Sequence, residues 1–292
     1  MDKGASLLAD RGVIKVAGAD ATTFLHKLVT NSVQNIAPGE SRFSGLLTPQ
    51  GKLLFDFIVV PLPEGPETGY YFDCVKEQAA DLVKRVNFHK MRAKITVEDV
   101  SASLGVAAFW GGEAPSGIEG TVYKDMRSPD MGYRVIAAPE VLAKLAEPQE
   151  AAYEAHRVAQ GVPKGGLDYV YGDTFVHDVN LDFQNGVDFK KGCYVGQEVV
   201  ARVHFRKSAR KRIVKVHFDG PVPASGTQIM AGEVAIGQIG SIAGSDGLAT
   251  LRLDRLEEAK TAGTAVKAGD ATVEAIVPPE FIETAAGVEK RL

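Results

Sequence analysis

The apolar residues of this chain change rhythm near Arg212, and that change constrains its fold more than any other feature. Before it, every-other-residue alternation is interleaved with runs at helical spacing; after it, only short alternating runs remain between Gly, Pro and Asp turns. "RGVIKVAG" (11–18) alternates as a strand does, and Asp20 then caps a short helix with Phe24, Leu25, Leu28 and Val29 on one face. "TPQGK" (48–52) is a turn, and "LLFDFIVV" after it has the apolar density of a buried strand. "PLPEGPETG" (61–69) is a hairpin-type loop whose return strand is "YYFDCV". A second helix over 76–91 turns Leu82, Val83, Val86 and Met91 inward, and "AKITVEDV" (93–100) supplies another strand. Strand–helix–strand–strand–helix–strand is the order of a ferredoxin-like α/β sandwich.

A second α/β passage comes next, with strands near 103–109 and 132–137 and helices near 139–146 and 149–160. Pro163 and the glycines at 165 and 166 end the last helix. Residues 167–189 carry little periodicity and many turn formers, which predicts an ordered functional loop. In the tail, "IVKVHF", "EVAIGQIGSI", "LATLRL" and "TVEAIV" read as strands of a small antiparallel β-barrel or sandwich, with one short helix near 254–260. "GQIGSIAG" (237–244) has the wrong glycine spacing for a phosphate loop and reads as barrel turns. The expected class is therefore α+β, divided as 1–100 and 101–210 in the α/β body and 211–292 in the β-rich tail.

Composition narrows the function classes. With 292 residues, 45% of them hydrophobic, and a net charge of −4, the chain can bury a full core and carries no global attraction for nucleic acid or membranes. No apolar run approaches the roughly 18 residues that a bilayer span needs. Residues 1–11 resemble neither a signal peptide nor a transit sequence. Cys74 and Cys193 lie far apart with no CxxC, so neither a disulfide framework nor a zinc knuckle is expected. Sparse cysteine suggests a reducing compartment, and the expectation is a cytoplasmic protein.

Local charge is more informative. Lys190, Lys191, Arg202, Arg206, Lys207, Arg210, Lys211, Arg212 and Lys215 stand against Glu198 alone, nine bases to one acid and so +8. The choice is between a solvated face and a cleft for an anion. Within this segment Cys193 follows two lysines and a glycine, a cationic setting that favours a thiolate nucleophile, redox sulfur or soft-metal ligand. A lone cysteine cannot hold an iron–sulfur cluster, which usually takes four ligands. The histidines at 26, 89, 156, 177, 204 and 217 show no metal-ligand spacing; His177 and His204 read as surface or loop residues, and Cys74 as core. No metal site is expected. Asp178, Asn180, Asp182, Gln184, Asn185 and Asp188 either bind the amide edge of a pterin or purine or shape a turn-rich loop, and both readings stay open.

The eight positions Lys191-Gly192-Cys193-Tyr194-Val195-Gly196-Gln197-Glu198, continued by Val200-Ala201-Arg202, resemble the K-G-C-Y-x-G-Q-E signature of the YgfZ family. These proteins are the folate-binding relatives of the glycine-cleavage T-protein, an aminomethyltransferase. "RGVIKVAGADATTFLHKLVTNSV" is similar to that family's opening, with its helix ending in T-N-x-V, and "LTPQGKLLFDFIV" resembles the family's next turn and strand. The resemblance implies a T-protein-like multidomain fold with a C-terminal β-barrel, tetrahydrofolate as cofactor, and a role in assembling or repairing iron–sulfur clusters that indirectly supports tRNA modification. It implies Cys193 as the key functional residue, with Lys191, Tyr194, Gly196, Gln197, Glu198 and Arg202 presenting it.

Departures from the T-protein pattern matter. Phe55-Asp56 stands where T-proteins carry paired aspartates, and Arg157-Val158-Ala159-Gln160-Gly161 replaces their R-L-E-A-G. Asp178-Val179-Asn180-Leu181 shortens the usual E-x-N-L of the YgfZ pattern. Asp56, Gln160, Asp178, Asn180, Tyr194, Gln197, Glu198 and Arg202 are then the expected folate contacts. A phenylalanine cannot act as acid or base, so a tetrahydrofolate-dependent aminomethyltransferase or demethylase is the alternative rather than the leading reading. The expected partners are a folate and iron–sulfur proteins. Phe189, Tyr194 and Phe205 alone make no stacking platform for direct nucleic-acid binding.

Overall fold

The computed structural model describes residues 3–285. The described residues form two compact units: one from the stretch up to Pro49, Leu54–Tyr153 and Asp182–Val195, the other from Gln50–Leu53, Glu154–Leu181 and the stretch from Gly196 onward.

The first unit contains β1 (Gly4–Leu7), β2 (Arg11–Ala17), α1 (Ala21–Leu28), β3 (Arg42–Leu47), β4 (Leu53–Pro61), β5 (Gly69–Val75), α2 (Ala79–Lys90), β6 (Thr96–Asp99), β7 (Gly105–Trp110), β8 (Thr121–Lys124), β9 (Tyr133–Ala137) and α3 (Pro139–Leu142). Strands β4-β5-β2-β6 pair in the ferredoxin-like order that the sequence rhythm predicts, and β3 adds a fifth strand beside β4. Alternation decides what each face buries. Ile14, Val16, Phe57, Val59 and Phe72 share one core with Leu25 and Leu28 of α1 and Leu82 and Val86 of α2. At its centre the Phe57 and Phe72 rings stack with centroids 4.3 Å apart.

The alternate residues carry charge, and these charges are also buried. Asp73 on β5 accepts from Arg11 Nε at 2.6 Å, from Tyr123 Oη at 2.9 Å and from the Arg134 guanidinium. Arg134 also reaches Asp125 at 3.0 Å, and Asp125 pairs with Arg127 at 2.7 Å. Both arginines donate to Tyr153 Oη. The second sheet of this unit, β1-β7-β9-β8, supplies Tyr123 and Arg134.

Two local expectations are corrected. Asp20 stands at the N-cap of α1, but its carboxylate makes no capping bond and accepts the Lys94 N–H at 2.8 Å instead. Met91 does not turn inward: α2 ends at Lys90, and Met91, at φ 45°, leaves the helical stripe and is 90% exposed.

Helix α4 (Glu150–Ala159) crosses the division between the units. The second unit continues with α5 (Gln197–Arg206), β10 (Lys211–Asp219), β11 (Gln228–Ala231), β12 (Val234–Ala243), β13 (Asp246–Arg252), α6 (Leu253–Ala262), β14 (Val266–Ala268), β15 (Ala271–Ile276) and α7 (Pro279–Ala285). The six strands close into an antiparallel barrel, β10-β13-β12-β11-β14-β15, so the tail is a barrel and not a sandwich. "GQIGSIAG" is not a set of turns: nearly all of it lies within β12, where its glycines allow close approach. A Cβ on Gly240 would stand 2.2 Å from Asp168 Oδ1.

That contact belongs to a buried knot. Asp168 accepts from Ser241 N at 2.6 Å and from Arg157 at 3.1 Å, while Arg157 also donates to Val162 O and Ser241 Oγ, each at 2.6 Å. The knot ties the segment after α4 to β12. Gly240→Ala is expected to cost about 1–3 kcal/mol by overpacking, read as a lower denaturant midpoint; an unchanged midpoint would refute the close-approach account.

Candidate functional site

The loop that carries Cys193 is held by bonds to the residues just after α1. Thr30 Oγ1 donates to Gly186 O at 2.6 Å, and Thr30 O accepts the Asp188 N–H at 3.1 Å. Asn31 Nδ2 donates to Phe43 O at 2.9 Å and Asn185 O at 2.6 Å. Asn185 adopts φ 56° and donates its own amide to Met126 O. Asp188 Oδ1 accepts from the backbone of Lys190 at 2.8 Å and Lys191 at 3.1 Å, an Asx turn that sets up the approach to the cysteine.

Lys191 completes the clamp. Its ammonium is buried, donates to Val29 O at 2.6 Å and Asn31 O at 2.9 Å, and lies 5.1 Å from the Tyr194 ring centroid. Burial lowers its pKa to about 8, against the opposing pull of Asp188. Burial also pushes the Tyr194 phenol up. Cys193, between these two buried side chains, is exposed, and a Cβ on the preceding Gly192 would meet nothing within 4 Å. The result is an accessible thiol on an immobilised loop. Asp56 belongs to the same unit, buried on β4 within the influence of the Arg11 guanidinium.

The other expected site residues belong to the second unit. Gly196, at φ 80°, opens α5. On that helix Glu198 and Arg202 form an exposed pair at 3.3 Å, and Gln197 is the first residue. Gln160 follows α4 and closes it with a backbone bond to His156 O. Asn180 is buried at φ 60°, and its amide donates to Ile213 O at 2.6 Å, which fastens the loop to β10. Asp178, two residues earlier, lines a cavity of about 460 Å³ with Tyr169 and Asp173, faced on the barrel by Lys211, Gln238 and Arg252. Burial raises the Asp178 carboxyl, partly offset by Lys211.

Two further expectations change. His177 lies in the loop but is buried, with its ring stacked on His204 of α5 at a centroid distance of 6.5 Å. The +8 segment is not a continuous free patch. Lys191 and Arg212 are buried, Arg212 donates to His177 O at 2.7 Å, and Lys215 reaches Ala159 O. Cys74 is core as expected, its thiol pushed up to about 12 by burial. Among the described residues no three His, Cys, Asp or Glu side chains are grouped to hold a metal, and no helix is long and apolar enough to cross a membrane.

Known proteins share this architecture. Residues 8–143 match the GCVT N-terminal domain, and residues 210–281 match the CAF17 C-terminal beta-barrel domain. The iron-sulfur cluster assembly factor IBA57 of Mus musculus, mitochondrial, is 32% identical over 280 residues, covering 86% of this chain and 78% of that protein. The chain belongs to the IBA57 family. The IBA57 homolog of Mycosarcoma maydis, also mitochondrial by name, is 34% identical over 233 residues, 74% of this chain. The match spans only 58% of that fungal protein's length.

The glycine cleavage system aminomethyltransferase T of Bartonella henselae superposes with a TM-score of 0.73 over 97% of this chain and 87% of its own, at 16% identity. That likeness establishes the T-protein-like fold. IBA57 membership corrects the family that the K-G-C-Y-x-G-Q-E signature suggests, since the YgfZ family is a related but different branch. The mitochondrial names of the IBA57 relatives overturn the cytoplasmic expectation. A low cysteine count does not say which compartment holds a chain.

Proposed function

We propose that this protein is an accessory factor in iron–sulfur cluster assembly or repair, and that Cys193 gives one thiolate ligand to a cluster whose other ligands come from a partner protein. The observation that carries the reading is the exposed Cys193 thiol on a loop fixed by Thr30, Asn31, Asp188 and Lys191. A soft thiolate suits iron in a cluster, and a site with one ligand must borrow the rest. On binding, the thiol proton leaves to solvent. The name of the IBA57 relatives supports the iron–sulfur assembly role. Any effect on tRNA modification is indirect, through enzymes that hold such clusters. The test is complementation of iron–sulfur enzyme activity by Cys193→Ala, which is expected to fail.

A second reading, tetrahydrofolate binding, is favoured by the cavity around Asp178. A pterin needs a carboxylate or amide against its N–H edge, and a glutamate tail needs cations. Asp178 and Gln238 meet the first need and Lys211 the second, beside an Arg252 already paired with Asp254 at 2.6 Å, in a volume within the usual range for small-molecule sites. When bound, the cofactor carries one-carbon units. In this reading Asp178 accepts from the pterin edge, while Lys211 anchors the tail. Calorimetric titration with tetrahydrofolate is expected to show binding that Asp178→Asn weakens about tenfold. No binding to the unmodified protein would remove this reading.

A further inference from the structure

We propose that the C-terminal end of α5 is a docking face for an acidic protein surface bearing an apolar socket. Resting on the cluster reading, that surface belongs to the partner that completes the cluster on Cys193. Arg202, Phe205 and Arg206 stand at i, i+3 and i+4 and so share one face of α5. Phe205 is 75% exposed, although Val200 on the same helix is buried. Lys207 at φ 49° ends the helix, and exposed Arg210 follows. Among the described residues Arg206 and Lys207 take part in no ion pair, while Arg202 has only the exposed Glu198 and Arg210 acts on the Asp254 carboxylate.

Cations at a helix C-terminus complement its dipole, which alone accounts for Arg206 and Lys207. It does not account for a phenylalanine held in water among them. An aromatic anchor with arginines around it is the composition of a protein-binding hot spot. The observations favour a protein over other anions. One aromatic offers no stacking platform for RNA, and a chain of net charge −4 repels an extended polyanion or an anionic bilayer beyond this patch. An acidic patch of matching size meets no such opposition. The chain also keeps the face within reach of the cysteine. Tyr194, Val195 and Gly196 separate Cys193 from the start of α5, at most about 14 Å of extended chain, and about 13 Å of helix lead from there to Arg206.

The test uses the full chain and a fluorescein-labelled acidic amphipathic peptide of Glu-Glu-Leu-Leu repeats, monitored by anisotropy. Phe205→Ala is expected to weaken binding about fivefold, and Arg206→Glu with Lys207→Glu at least tenfold. Circular dichroism should show both variants folded. Phosphatidylglycerol vesicles and a tRNA transcript are expected to bind less tightly than the peptide. The proposal is overturned if the peptide does not bind, if the variants bind it as the unmodified protein does, or if vesicles or tRNA bind more tightly through the same residues. Cys193→Ala should bind the peptide normally. Lost peptide binding with a failed Cys193→Ala complementation would remove the docking face and leave the cluster reading. Normal peptide binding with full complementation would do the reverse.

Discussion

Asp73→Ala is expected to destabilise the protein by about 3–5 kcal/mol, the cost of leaving buried charge without its partner. Asp73 is 0% exposed and accepts from Arg11, Arg134 and Tyr123. Its removal strands the Arg134 guanidinium, itself 2% exposed, with Asp125 as its remaining carboxylate. Total stabilities are about 5–15 kcal/mol, so the variant loses a large fraction of its margin. Burial alone would raise the Asp73 carboxyl, but Arg11 and Arg134 hold it below the ordinary range, and Arg127 and Arg134 do the same for Asp125. A carboxyl depressed in the folded state contributes stability above its unfolded value, near pH 4, and loses it as pH falls through the folded one. The unmodified protein should therefore lose stability progressively below about pH 4, and Asp73→Asn should flatten that acid limb. Urea denaturation across this pH range measures both effects. A loss under about 1 kcal/mol for Asp73→Ala would mean that the network is worth no more than surface pairs.

This network also shows where reading the sequence stops. "YYFDCV" alternates as a strand with one face apolar, and an alternating Asp reads as facing water. In the fold a second sheet covers that face, and Arg134 comes from 61 positions away. The ferredoxin-like order was legible because β2, β4, β5 and α2 carry strong local periods. β1 and β8 are four residues each, too short for any period to register. The site divides similarly. Cys193 stood out through its own neighbours, whereas the Asn31 bond to its loop spans 154 positions. Asp178 and Asn180 looked alike as pterin contacts. Only the backbone separates them, because Asn180 sits at positive φ with its amide committed to Ile213 while Asp178 lines a cavity.

Cys193→Ala should abolish complementation of iron–sulfur enzymes and leave stability within about 0.5 kcal/mol, as exposed substitutions usually do. None of the bonds that fix the loop involves the thiol: Thr30, Asn31, Asp188 and Lys191 act through the backbone of 185–191 or the carbonyls after α1. Losing the sulfur therefore removes a ligand without loosening its support. The other cysteine supplies the contrast. Cys74 is 1% exposed and its thiol is pushed up to about 12, so native iodoacetamide should label Cys193 and spare Cys74. Cys193→Ser tests whether sulfur itself is needed, because a hydroxyl is a poor substitute for thiolate on iron and should also fail. Full complementation by the alanine variant at normal expression would end the ligand role. Failure accompanied by a shifted denaturation midpoint would instead make Cys193 structural, an outcome that its exposure argues against.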